Sequence, residues 1–110
     1  MVVNMHKLDK KYVFHIPLYK FKDEELIKLS IDNLLDDLID DLGVDSLYIT
    51  KAKSYYKSRC FDELLLTLFV SCDENPEEIF KNWFRKNNHI LGQEAFAYEC
   101  QNQMHIFRLD

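Results

Sequence analysis

The chain has 110 residues, 47% hydrophobic and 14% aromatic, with a formal net charge of −5. At this length folding removes roughly two-thirds of the surface of the unfolded chain, so a core forms without staples. The acidic balance makes nucleic-acid binding an unfavourable reading, and no run approaches the ~18 apolar residues of a membrane span.

Three cysteines, Cys60, Cys72 and Cys100, form an odd set without C-x-x-C spacing, and no apolar leader follows Met1. This pattern predicts a cytoplasmic protein rather than a disulfide framework. Two Gly and two Pro leave little room for a flexible linker. Residues 1–11 show no periodicity and are expected to be a disordered N-terminal segment, with 12–110 forming a single domain.

Tyr12 to Tyr19 is a nearly continuous apolar run of strand length, as in a strand covered on both faces. Pro17 cannot donate to a ladder and belongs at the strand's end or at a bulge. From Asp23 to Leu42, residues Ile27, Ile31, Leu34, Leu35, Leu38, Ile39 and Leu42 fall at helical spacing in one stripe. Asp23, Glu24 and Glu25 suit the positive helix start, and Gly43 stands where a left-handed cap residue is needed.

Leu47 to Lys57 and Glu63 to Ser71 are predicted as two strands joined by a turn over Ser58 to Asp62, which has no glycine and no assignable type. Asn75, Pro76 and Glu78 mark a second helix start, with Asn75 as cap and Glu78 completing a capping box. Ile79, Phe80, Trp83 and Phe84 then form its apolar stripe, and Gly92 closes the region. Glu94 to Cys100 and Met104 to Leu109 are short strands around Gln101, Asn102 and Gln103, either one bent strand or a C-terminal hairpin.

This order predicts an α+β fold of the ferredoxin-like split βαβ kind, β-α-β-β-α-β, with two helices on one face of an antiparallel sheet. The first and third strands are then central, and they are the two most apolar. If Phe14, Ile16, Leu64, Leu66 and Leu68 face the helices, the two-residue period sends Val13, His15, Leu65, Thr67 and Phe69 to the other face. So apolar a row is expected to be covered, most simply by a second copy in a homodimer.

His15 lies in the middle of that row, with Thr67 expected nearby and Glu99 able to approach from the fourth strand. A histidine beside a carboxylate serves as a general base; the plainer reading is a ring satisfied by a backbone group and Thr67. His6, His15, His89 and His105 have no ligand spacing, so no metal site and no cofactor is predicted. Asp32, Asp36, Asp37, Asp40 and Asp41 read as a solvated acidic helix face without the calcium-loop pattern. Lys51, Lys53, Lys57 and Arg59, interleaved with Tyr55 and Tyr56, form a basic patch. Such a patch fits a phosphate clamp; the plainer reading is an edge strand guarded by lysines.

The stretch Gly92-Gln93-Glu94-Ala95-Phe96-Ala97, and Asp62-Glu63 opening an apolar strand, resemble a family of small uncharacterised bacterial proteins with a ferredoxin-like core and a Q-E strand after the second helix. The glycine-rich turn and G-x-W element of that family are missing at Phe21-Lys22-Asp23 and Lys53-Ser54-Tyr55. The resemblance implies a fold and no activity. The sequence thus favours a small binding or assembly module that self-associates through its sheet face. The competing class is a small-substrate enzyme or ligand-binding protein of the dimeric α/β-barrel type with a cavity near His15.

Overall fold

The computed structural model describes residues 8–18, 24–44, 46–71, 73–91 and 93–108. Most of the segment expected to be disordered, together with Asp23, Cys72, Gly92 and Leu109, lies outside them. The elements run β1 (Lys10–Pro17), α1 (Glu24–Leu42), β2 (Leu47–Tyr56), β3 (Arg59–Val70), α2 (Glu77–Leu91), β4 (Ala95–Cys100) and β5 (Gln103–Arg108). The result is an α+β arrangement of two helices and one five-stranded antiparallel sheet in the order β2-β3-β1-β4-β5.

Between one bent strand and a C-terminal hairpin, the end of the chain is the hairpin, which adds a fifth strand to the sheet. Gln101 and Asn102 take φ of 53° and 61°, so two residues suffice to reverse the chain, and Gln103 joins a second ladder on β4. The same device corrects the central turn. Lys57 and Ser58, at φ 49° and 64°, make the reversal alone, and Arg59 to Asp62 are strand rather than loop. At the other end, Lys10 and Lys11 pair with Val70 and Phe69, so β1 starts before Tyr12. Pro17 is its last residue, where a missing N–H costs no interior ladder bond.

Alternation along the strands places one aromatic-rich core under the helices. Tyr12, Phe14 and Ile16 of β1, Leu66, Leu68 and Val70 of β3, and Phe96 and Tyr98 of β4 are all buried. From above, α1 contributes Ile31, Leu34 and Leu38, and α2 contributes Phe80, Trp83, Phe84 and Leu91. Ile39, placed in the α1 stripe by spacing, is instead 50% exposed. The Phe14 ring stacks on Phe80 at 4.4 Å and meets Phe96 edge-on at 5.0 Å. Burying each such side chain stabilises the fold by roughly 1.5–3 kcal/mol.

Both helices are anchored at their ends. Gly43, at φ 65°, donates to the Ile39 carbonyl at 2.9 Å and closes α1 with a left-handed cap. Asn75 Oδ1 accepts from the Glu77 backbone N–H at 2.8 Å. Glu78 does not fold back to complete a capping box; its carboxylate lies 3.8 Å from Lys81. Across the helix pair, Trp83 Nε1 donates to the Ser30 carbonyl at 2.7 Å.

Candidate functional site on the open sheet face

The strand face turned away from the helices carries the other half of the alternation. Its members include Val13 and His15 on β1, Glu63, Leu65, Thr67 and Phe69 on β3, Ser54 on β2, and Glu99 on β4, as the cross-strand pairs dictate. The β2–β3 hairpin runs on past the end of β1, since Arg59 to Asp62 pair with β2 alone. That extension walls one side of the face, and β4–β5 walls the other.

Between these walls, one polar side chain from each of four adjacent strands joins a single line. Ser54 Oγ donates to Glu63 Oε1. The same oxygen lies 3.0 Å from His15 Nδ1, and His15 Nε2 lies 2.6 Å from Glu99 Oε2. An ionised carboxylate brings no proton, so with both glutamates ionised the ring supplies both: an imidazolium between two anions. The His15 and Glu63 side chains are 18% and 15% exposed, whereas Glu99 is 44% exposed. The line therefore leads from a sheltered hydroxyl and carboxylate, through the ring, to a carboxylate in contact with water.

His15, Glu63 and Ser54 border an open depression of about 740 Å³. Its floor and far wall are Ala95 and Ala97 of β4 with Met104, Ile106 and Arg108 of β5. Glu99 lies outside it and borders a second, smaller hollow of about 240 Å³ with Asp9 and Lys11. The ring of His15 thus bridges two separate concavities.

The ladder keeps the row predicted from alternation, Val13, His15, Leu65, Thr67 and Phe69, on this one face. Thr67 is buried and sits opposite Val13, not His15. The direct neighbour of His15 on β3 is Leu65, and the ring is held by two carboxylates rather than by Thr67 and a backbone group. Phe69 pairs with Lys11 at the opposite end. Glu63 and Ser54 went unrecognised in the sequence because nothing in periodicity sets the register of strands 48 residues apart. The only available signal was the acidic residue opening an otherwise apolar strand.

The basic patch is redistributed. Lys51, Lys53, Lys57 and Arg59 are all exposed on the hairpin of the edge strand β2. Asp62 enters their midst and accepts from Lys53 Nζ at 3.0 Å. That carboxylate holds the Lys53 ammonium above its ordinary titration range. Cys60 is exposed on this hairpin and Cys100 is buried. Asp32, Asp36, Asp37, Asp40 and Asp41 all point to solvent from α1. Among the described residues no three His, Cys, Asp or Glu side chains are grouped to hold a metal ion. No described helix is long and apolar enough to cross a membrane.

No family model matches the chain, and no curated protein matches it. Two solved structures share its fold. A phage SAM lyase in complex with S-methyl-5′-thioadenosine superposes with a TM-score of 0.53 at 8% identity, over 99% of this chain and 96% of the other. A phage SAM lyase in the apo state gives 0.54 at 9% identity, over 98% of both chains. At such identity the likeness extends to the fold alone.

Proposed function

We propose that this protein binds a small molecule in the open-face depression and moves a proton on it, with His15 and Glu63 as the acid–base pair. The observation that carries this reading is the histidine with a carboxylate at each ring nitrogen, set at the border of a concavity large enough for a metabolite. Glu63 and the Nδ1 side of the ring meet the ligand. As Glu63 takes a proton from the ligand, the ring gives its own Nε2 proton to Glu99, which water reaches. Ser54 holds Glu63 in place by its hydrogen bond.

The finer fold assignment that goes with this reading is a ferredoxin-like split βαβ core with β5 added as a C-terminal hairpin, in a cytoplasmic, single-domain protein. The fold shared with a SAM lyase makes S-adenosylmethionine and S-methyl-5′-thioadenosine the first ligands to test. Titration of each into the protein, followed by amide NMR and by chromatography of the mixture, is the experiment. Expected are shifts confined to the strand residues that line the depression, on β1, β3, β4 and β5 and at Ser54, with binding weakened tenfold or more in Glu63→Gln. Shifts elsewhere, or equal binding by Glu63→Gln, would remove the assignment.

A second reading, self-association through the same face, is favoured by Tyr48, Met104 and Ile106, which are 48%, 54% and 61% exposed there. A homodimer of the α/β-barrel type would bring two depressions together. Light scattering across a wide concentration range decides it: a mass that stays at 13.2 kDa removes the dimer and leaves the ligand site untouched.

A further inference from the structure

The charged groups around the depression are unequal in what they already hold. Asp62 is engaged by Lys53, and Glu63 by His15 and Ser54. Two remain. Arg108, at the end of β5, and Glu94, just before β4, both border the depression and both are exposed. No ion pair within 4 Å joins either to another described residue. Their backbones are close, because Arg108 is the ladder partner of Ala95, the residue after Glu94.

An unpaired cation and an unpaired anion at one end of an apolar hollow present complementary charges to a group that carries both. Arg108 offers a planar fork that matches a carboxylate with two parallel hydrogen bonds. Glu94 accepts from an ammonium. The compact ligand group with both charges one carbon apart is the α-amino acid headgroup. Between this end and His15 lies β4, so the two are separated by two strand spacings, roughly 10 Å. The intervening surface is Ala95, Ala97, Met104 and Ile106, where small alanines leave room and the longer side chains offer apolar contact.

We propose that Arg108 and Glu94 form the recognition end of the depression for an α-amino acid headgroup. The ligand is then an amino acid derivative, its carboxylate on Arg108, its ammonium at Glu94, and its apolar side chain directed across β4 toward His15 and Glu63. This inference rests on reading the depression as a small-molecule site. It goes beyond that reading by naming the ligand class and the two residues that select it.

The test uses matched probes on the full chain: methionine and phenylalanine, the amines lacking their carboxylates, their N-acetyl forms lacking the ammonium, and the neutral S-methyl-5′-thioadenosine. Amide NMR reports where each binds and how tightly. Expected is a preference of about tenfold or more for the intact headgroup over either truncated form, from the loss of one charge-assisted contact. Shifts should fall at residues 94–97 and 104–108. Arg108→Ala and Glu94→Ala should each erase the preference, with Arg108→Lys intermediate. Both positions are exposed at strand ends, so the variants retain the fold, which their spectra will show directly. If the neutral probe occupies the depression while the headgroup confers no advantage, the recognition end is overturned and the small-molecule site stands. If no probe of any class perturbs the depression, both are overturned.

Discussion

Phe14 and His15 are consecutive residues of the same strand, yet one side chain is fully buried among Phe80, Trp83 and Phe96, and the other stands in a polar line open to water. The helix-covered face is dry. Its polar groups are held neutral or internally bonded: burial, with the Glu77 carboxylate second, pushes the Tyr98 phenol above the ordinary tyrosine range, and Trp83 gives its N–H to Ser30. On the open face the polar groups are linked across strands, and the apolar ones are only partly covered. A two-residue period therefore divides the chain's tasks between stability and chemistry at nearly every position of β1, β3 and β4. Substitutions at adjacent residues should separate the two.

The largest expected effect is Phe14→Ala. It removes a ring in contact with three aromatic partners, and phenylalanine truncations of this kind cost about 3–5 kcal/mol. A domain of this size has only about 5–15 kcal/mol in reserve, so urea denaturation should show a midpoint shifted to much lower denaturant. His15→Gln, one residue on, keeps a donor for one of the two carboxylates and should cost only about 1 kcal/mol while abolishing the proton transfer. A His15→Gln loss as large as that of Phe14→Ala would mean that the polar line holds the fold together, and the division between faces would fail.

An intermediate effect tests the polar side of the dry face. Trp83→Phe keeps a six-membered ring in the aromatic cluster but deletes the N–H given to Ser30, which links α2 to α1, together with the five-membered part of the indole. The expected loss is about 1–3 kcal/mol, read as a fall of several degrees or more in Tm. Ligand binding on the open face should be unchanged, because the sheet lies between. A Tm drop accompanied by weaker binding would show that helix packing sets the shape of the depression.

How much of this contrast the sequence held differs between the faces. The dry face was legible because it is built from local pattern: the α2 stripe at Phe80, Trp83 and Phe84, the cap at Asn75, and the alternation through Tyr12, Phe14 and Ile16. The open face depends on pairing. Glu63 meets His15 only because β3 runs antiparallel to β1 with Pro17 opposite Glu63, and Ser54 reaches Glu63 because a Lys57-Ser58 reversal sets the β2–β3 register. Sequence rules look for glycine or asparagine at such a turn, because positive φ is strained for residues with a Cβ. Lysine and serine gave no such signal, so the turn was expected to start one residue late and to run on through Asp62, which is strand.

The smallest effect lies outside both faces, at the exposed hairpin where Lys53 meets Asp62. The ammonium is favoured in the folded state by that carboxylate, so its folded titration point lies above the ordinary lysine value. The sign follows: the pair's contribution is fully present below the unfolded lysine value and is lost as pH rises through the folded one. Stability measured between neutral pH and strongly alkaline conditions should therefore fall slightly more in the parent than in Lys53→Gln. Both groups are about two-thirds exposed, so the difference should shrink further in high salt. Should Lys53→Gln instead weaken ligand binding, the hairpin's charge would belong to the open-face site, and the wall of the depression would have to be counted as part of its chemistry.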